Sequence, residues 1–315
     1  MSTSTDNEID RLFRGNNRSL AASVIEIIED LEDYWPLTVR QVYYQCVAKL
    51  LIPNDHKKYK AMSVMAATLR RHDLVTWDAI EDRTRRTTDK RGVSDLQAFI
   101  KGQTEFLLDW RYYHRCRVQE QDFYIEVATE KDALASIIEE VAWPYCVRLN
   151  VCKGQVSATM VKQMADRFQK ARLLGKTPLL LYFGDLDPSG VAIPKAIQSK
   201  LVEFHSTFIE LIRVALNPDH LSQYDLPVSP DVAKKLDPNY KKWIIEYGDT
   251  PPTELDALHP KDLKELVKSS IEDNLDMGAF REQMEIEHEE RITLKIMRRN
   301  IMRYARMNYP VYFRD

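Results

Sequence analysis

Two aspartates spaced i, i+2 close a short apolar run: Leu179-Leu180-Leu181-Tyr182-Phe183 leads into Gly184-Asp185-Leu186-Asp187-Pro188-Ser189-Gly190. An apolar run of this length, stopped abruptly by Gly and Asp, predicts a buried parallel strand with both acids at its carboxyl end. In open α/β sheets ligands bind at that edge, because the crevice beyond the strand ends is the concave ground that the layers leave. Carboxylates this close raise one another's pKa, and a hard divalent cation such as Mg2+, or Mn2+ in its place, is the simplest partner that keeps both ionised. The same Asp-Pro-Ser-Gly also suits a strand-to-helix turn with an N-cap. A third acid, Glu130, follows a second apolar run at 123–128. If both runs are strands of one sheet, Glu130, Asp185 and Asp187 converge on one crevice, which is a more specific signal than the pair alone.

The elements that must hold these acids read as a βαβ succession. Strands are expected at 123–128, 145–152, 179–183 and 208–216. Helices are expected from 129 to about 141, from the Lys153-Gly154-Gln155-Val156-Ser157 turn to 174, and over 191–204. Alternation at this spacing implies an α/β fold with a parallel sheet covered on both faces. Farther along, Thr253-Glu254-Leu255-Asp256 places two more acids at i, i+2. They either extend the acidic site or open an ordinary helix.

Upstream, helical periodicity over 7–34 breaks at Trp35-Pro36, and Thr38 is placed to N-cap a helix over 39–50. A helix at 59–72 followed by a strand at 74–77 suggests a winged helix. Arg70, Arg71, Arg83, Arg85 and Arg86 lie in one basic interval with Lys57, Lys58 and Lys60, while Lys131 and Lys153 stand beside the acids. Such clustering suits the phosphates of DNA. Asp73, Asp78, Glu81, Asp82 and Asp89 dilute it, as on an ordinary solvated surface. The aromatic-basic string at 111–115 is expected to pack on its helix. Residues 217–252 read as loops with short helices, followed by helices at 262–275 and 277–304. In the latter, the charges at 285–291 read as a solvated face or a partner contact, with His288 no metal ligand. The expected partition is a helical segment at 1–36, a DNA-binding domain at 37–118, a sheet domain at 119–216 and an extension at 217–315.

Composition narrows the class. Hydrophobic residues make up 44%, charged residues 30%, and only 9 glycines occur, so collagen-like and disordered chains do not fit. A net charge of -3 does not decide for or against nucleic acid, which local patches govern. Cys46, Cys116, Cys146 and Cys152 lack metal-ligand spacing and are expected as reduced, buried thiols, the last two within one strand. The first residues lack a signal-peptide pattern, and no apolar run is long enough for a bilayer, so a cytoplasmic protein with no membrane partner is expected.

With Glu130 after the first strand, Gly154 after the second and Asp185-Leu186-Asp187 after the third, residues 122–216 resemble a Toprim domain, the metal-binding fold of topoisomerases, primases and several nucleases. Preceded by Arg40-Gln41-Val42-Tyr43-Tyr44, the pattern over 38–216 resembles the A subunit of type IIB topoisomerases, topoisomerase VI and its meiotic double-strand-break relatives. The resemblance implies that Tyr44 attacks a DNA phosphodiester with Arg40 stabilising it. It also implies that Glu130, catalytic as well as metal-binding, holds Mg2+ with Asp185 and Asp187. Tyrosine and metal would come from opposite subunits of a homodimer. No ATPase segment with a nucleotide-binding glycine pattern occurs, so strand passage would need a separate B-type subunit. A Toprim nuclease using activated water and a non-catalytic DNA-binding adaptor of a mobile-element or defence complex are the other readings.

Overall fold

Residues 3–81, 95–152, 157–205, 209–227 and 237–313 are described by the computed structural model. They form two compact units, each drawn from two stretches of chain: Met1–Thr84 with Asp122–Asn274, and Arg85–Gln121 with Leu275–Asp315.

The first unit opens with α1 (Thr3–Leu12), α2 (Asn16–Asp30), α3 (Val39–Ala48) and α4 (His56–Arg71). Helical spacing puts Val24, Ile27 and Ile28 on one face of α2, where they join Val42 and Cys46 of α3 and Met62 and Leu69 of α4 in one core. Thr38 caps α3 as its sequence foretells. Gln41 N donates to Thr38 Oγ1 at 3.3 Å and Thr38 N donates to Gln41 Oε1 at 2.7 Å, a reciprocal capping box. The strand expected at 74–77 does not form. Leu74 N instead donates to Leu69 O to close α4, and Trp77 opens a 3-10 turn ending at Ala79. Among the described residues that short run has no partner strand for its backbone groups, and the extended pairing here is a single parallel bridge of Leu37 to Ile80.

After α5 (Leu96–Phe106), which belongs to the second unit, the sheet is built from β1 (Phe123–Thr129), α6 (Ala135–Ala142), β2 (Arg148–Val151), α7 (Ala158–Leu173), β3 (Thr177–Phe183), α8 (Pro188–His205) and β4 (Glu210–Ala215). All four strands run parallel in the order β2-β1-β3-β4, a mixed α/β fold. The central strands are buried along nearly their whole length, which is why they read as unbroken apolar runs. From α7 and α8, Phe168, Ile197 and Leu201 pack on Ala128, Leu180 and Tyr182. The chain continues through α9 (Pro218–Gln223) and α10 (Tyr240–Tyr247) to α11 (Pro260–Glu272), which packs on α6 and β4. In the middle of β1, Glu126 is fully buried yet satisfied: Arg167 Nε (2.6 Å), Asn150 Nδ2 (2.8 Å) and Tyr124 Oη (2.8 Å) all donate to it.

β2 starts later than expected, because Trp143-Pro144-Tyr145 makes a 3-10 turn and proline has no N–H for the ladder. Cys146 therefore lies in the turn, at φ +57°, and not in the strand. The four cysteines form no disulfide among the described residues, and only Cys46 and Cys152 are buried. Cys116 and Cys146 are exposed, correcting the expectation for both.

The second unit is completed by α12 (Met277–Asn308). Glu287 is buried, at 3% exposure, and so is not part of a solvated face. It accepts from Arg117 Nε and Nη2, both at 2.9 Å, and from Arg115 N at 3.1 Å. Glu290 accepts from Arg115 Nη1 at 2.7 Å and Tyr113 Oη at 2.6 Å. Tyr113 and Arg115 of the string at 111–115 are thus spent on α12, while Arg111, paired with Asp109, and Tyr112 are exposed, as is His288. Among the described residues no helix is long and apolar enough to cross a membrane.

Candidate functional site at the acidic sheet edge

Register brings the acids together. Thr129 of β1 stands opposite Phe183 of β3, so the residues that follow, Glu130 and the Gly184-Asp185 turn, emerge side by side. Asp185 N donates to Glu130 Oε1 at 2.6 Å. Asp187 turns to the start of α8, its Oδ1 accepting from Gly190 N at 2.6 Å. A side chain at Gly190 would collide with the Asp185 carbonyl, so glycine is required there. Arg213, reaching over from β4, fastens the turn by donating to the carbonyls of Asp185 (2.5 Å), Gly190 (3.0 Å) and Leu216 (3.0 Å).

A second strut crosses this edge. Leu186 and Thr253 exchange two backbone hydrogen bonds of 2.9 Å, which lays Glu254-Leu255-Asp256 against the turn. Leu255 N then donates to Asp185 Oδ1 at 2.7 Å. Three carboxylates surround the Lys131 ammonium: Asp185 Oδ2 at 2.8 Å, Glu254 Oε2 at 3.1 Å and Asp256 Oδ2 at 3.1 Å. Asp256 is fully buried, and its oxygens accept no hydrogen bond among the described residues, so Lys131 compensates it by charge without an aligned N–H. Glu254 extends the network to α3, where Arg40 Nη1 lies 3.2 Å from its Oε2. The ring of Tyr44 is buried among core residues, edge-on to Tyr43 at 5.2 Å, and its phenol lies near enough to Glu254 for the carboxylate's charge to act on it.

The electrostatics follow from this crowding. Burial pushes Asp185 up to about 7, with Lys131 opposing and Glu130 adding to the rise. Burial also raises Glu130, against the hydrogen bond from Asp185 N. Desolvation disfavours a charged Lys131, but Asp256, Asp185 and Glu254 outweigh it and hold the ammonium firmly protonated. Burial works against ionised Glu254 too, yet Lys131, Arg40 and the Tyr44 hydroxyl keep it below the usual carboxylate range. The Tyr44 phenol is driven upward by burial and by Glu254, and Arg40 counters only part of this.

Thus Glu130, Asp185 and Arg40 join one network, with Tyr44 one turn after Arg40 and Asp187 at the adjoining helix start. Lys131, expected on a DNA surface, sits inside that network at 13% side-chain exposure. Arg70 donates to Trp77 O at 2.9 Å and stacks on the Trp77 ring at 4.4 Å, while Arg71 is exposed. Arg83, Arg85, Arg86 and Lys153 lie outside the described residues. Sequence reasoning left Glu254 and Asp256 undecided and missed Arg213. The signal for Arg213 was a lone guanidinium inside an apolar strand, since such a charge is rarely buried without a task.

Five carboxylates face three cations, Lys131, Arg40 and Arg213, and the hydrogen bonds of Arg213 go to backbone carbonyls. Among the described residues no three acids, histidines or cysteines stand arranged around a metal position, because Asp185 and Asp256 face Lys131 and Asp187 caps α8. The all-oxygen donor set and the orphaned Asp256 oxygens nonetheless suit Mg2+ or Mn2+, whose charge would relieve the surplus. Compared with protein-family models, curated protein sequences and solved structures, the chain shows no match.

Proposed function

We propose that this protein breaks DNA strands at the acidic edge by tyrosine transesterification, in the manner of the type IIB topoisomerase A subunits that its Toprim-like and winged-helix-like segments resemble. The observation that carries the reading is the continuity of the network: Arg40, one turn before Tyr44 on the same helix, meets the sheet-edge acids through Glu254 and Lys131. Tyr44 Oη attacks the phosphorus, the new O–P bond forms and the P–O bond to the neighbouring deoxyribose breaks. The phenolic proton passes to solvent as the new bond forms, and the released deoxyribose oxygen takes up a proton from solvent. Arg40 steadies the phenolate and the pentavalent phosphate, since a fixed guanidinium offers both charge and a planar donor fork. Glu130, Asp185 and Asp187 would hold a divalent cation, which supplies Lewis-acid stabilisation of the phosphate oxygens. Arg71 and the basic interval around it would track the DNA backbone, two chains would each cut one strand with the tyrosine and acids of the same chain, where the resemblance implies opposite subunits, and a separate B-type ATPase subunit would drive any strand passage.

The burial of Tyr44 favours a second reading, a Toprim nuclease in which water attacks in its place. Supercoiled plasmid treated with the wild-type chain in Mg2+ or Mn2+ separates the possibilities. Transesterification requires that Tyr44→Phe lose both cleavage and the covalent protein-DNA adduct. Nicking that survives Tyr44→Phe but disappears in Asp185→Asn supports the water mechanism. A wild-type chain that binds DNA with steep salt dependence and never cuts it is an adaptor, and both cutting mechanisms then fail.

A further inference from the structure

Beyond Glu290, α12 carries Arg291, Lys295, Arg298, Arg299, Arg303 and Arg306 and no acid before its end at Asn308, in a chain whose net charge is -3. Two of these cations are spent within the second unit. Arg291 Nη2 donates to Tyr113 O at 2.8 Å, and Arg298 donates to the carbonyls of Glu105 (2.8 Å) and Leu107 (3.1 Å), which ties the helix to the end of α5. Beside this junction the half-buried Trp110 and α12 line an open cavity of about 710 Å³. Ile292, Ile296 and Met302 face it with the Trp110 ring, and Lys295 Nζ lies 5.5 Å from the centroid of that ring. Arg299, Arg303 and Arg306 also line it, and all three are exposed. Among the described residues no acid lines the cavity, and the carboxylate of Asp109 is held by Arg111 Nη2 at 2.6 Å.

We infer that this groove binds an unpaired nucleic-acid strand, with a base stacked on Trp110 and neighbouring phosphates on Arg299, Arg303 and Arg306. Apolar and cationic side chains are mingled along the one stripe of α12 that faces the cavity. A single strand mingles planar apolar bases and charged phosphates in the same way, and an aromatic platform beside a basic groove is how such strands are held. The three arginine positions step about 6 and 4.5 Å along the helix axis, so separate phosphates of one strand each meet a guanidinium. Lys295, on a flexible stem, moves from the ring to a phosphate as a base arrives. A duplex keeps its bases stacked inside and offers Trp110 only its backbone. A helix lying on a membrane keeps its basic residues on the face opposite its apolar ones, which this stripe does not. The groove lies wholly within the second unit, and the inference does not rest on the strand-breaking reading.

Fluorescence anisotropy tests it, with the full-length protein, a labelled oligothymidylate of about twelve nucleotides and EDTA present so that no metal-dependent cleavage intervenes. Trp110→Ala should weaken single-strand binding about tenfold, and should leave the affinity for a duplex of the same length unchanged. Trp110→Phe, which keeps a ring, should recover most of the loss. Arg303→Gln with Arg306→Gln should reduce the slope of log affinity against log salt by about 1.4, two phosphate contacts at the single-strand value. Both arginines are exposed, so this variant still tests the groove if circular dichroism shows Trp110→Ala to be misfolded. A wild-type chain that does not bind the single strand overturns the inference. So does single-strand binding indifferent to both Trp110→Ala and the arginine pair, or a loss in Trp110→Ala that is equal for single strand and duplex. Binding to phosphatidylserine vesicles that disappears in the arginine variant, with single-strand affinity intact, would make the groove a lipid-headgroup surface and also overturns it.

Discussion

The protein contains two dense charge networks with opposite balances. In the second unit, Glu287 is nearly as buried as any acid among the described residues, yet Arg117, Arg115 and Arg291 saturate it, and its carboxyl is held below the usual range despite its burial. At the sheet edge of the first unit, Lys131 serves three carboxylates at once, Asp256 accepts no hydrogen bond among the described residues, and Asp185 rises to about 7. Burial of acids is common to both, so burial is not what marks a site. Surplus is. A compensated carboxylate fixes structure, whereas an uncompensated one keeps free energy in reserve for a cation or a proton that has yet to arrive.

That contrast is most exposed to failure at Asp185. Asp185→Asn should lower DNA cleavage at least about a hundredfold, the scale set by losing a group that stabilises the transferring phosphate. Its thermal midpoint at pH 8 should be no lower than wild type, because the substitution removes a charge that the fold disfavours. Plasmid nicking beside a melting curve checks both, and a large drop in stability would place Asp185 with the structural acids. Glu287→Gln should behave the opposite way. Removing one partner of a buried pair strands the Arg117 guanidinium, and unfolding should lose roughly 2–3 kcal/mol in denaturant titration, with cleavage per folded molecule unchanged.

How much of this was legible beforehand depends on how locally each feature is encoded. The βαβ alternation and the junction of Glu130 with Asp185 were readable, since buried parallel strands are continuous apolar runs and their ends are punctuated by Gly and Asp. The roles of Glu254 and Asp256 were not. They reach the site only through the Leu186–Thr253 bridge, a pairing between residues far apart in sequence that no periodicity announces. Lys131 misled for the same reason: a lysine at the sheet edge reads as a phosphate contact, and only the three carboxylates around it show where its charge is spent. Leu74-Val75-Thr76-Trp77 had strand-like residue types but no neighbour to pair with, so local preference lost to the need for hydrogen-bond partners.

pH should separate the two networks by sign. Asp185 and Glu130 hold their protons longer in the folded chain than in the unfolded one, so between the ordinary carboxylate range, about pH 4, and about 7 the native state binds more protons and stability falls as pH rises. Glu287 is shifted downward, so its contribution is present above its unfolded pKa and is lost as pH drops through the folded one. Chemical denaturation across pH 3–8 should therefore show the upper slope flattened in Asp185→Asn and the acid-side slope reduced in Glu287→Gln. Millimolar Mg2+ or Mn2+ should flatten only the upper slope, because a divalent cation at the sheet edge takes over the role of the retained protons. An upper slope unchanged by both the substitution and the ion would mean that the surplus at the edge is not where these acids' protons are held.

The smallest effect belongs to a pair outside both networks. Lys162 and Asp166 face one another across one turn of α7, with side chains 44% and 52% exposed. Water already solvates both groups well, the two flexible side chains lose freedom by pairing, and the cation precedes the anion, the weaker orientation against the helix dipole. Lys162→Ala should therefore change stability by no more than about 0.5 kcal/mol, and 0.5 M NaCl should erase what difference there is. If this exposed pair proved to weigh as much in denaturant titration as Glu287→Gln, proximity of charge alone would account for the second unit's network, and the distinction between compensated and surplus carboxylates would lose its physical basis.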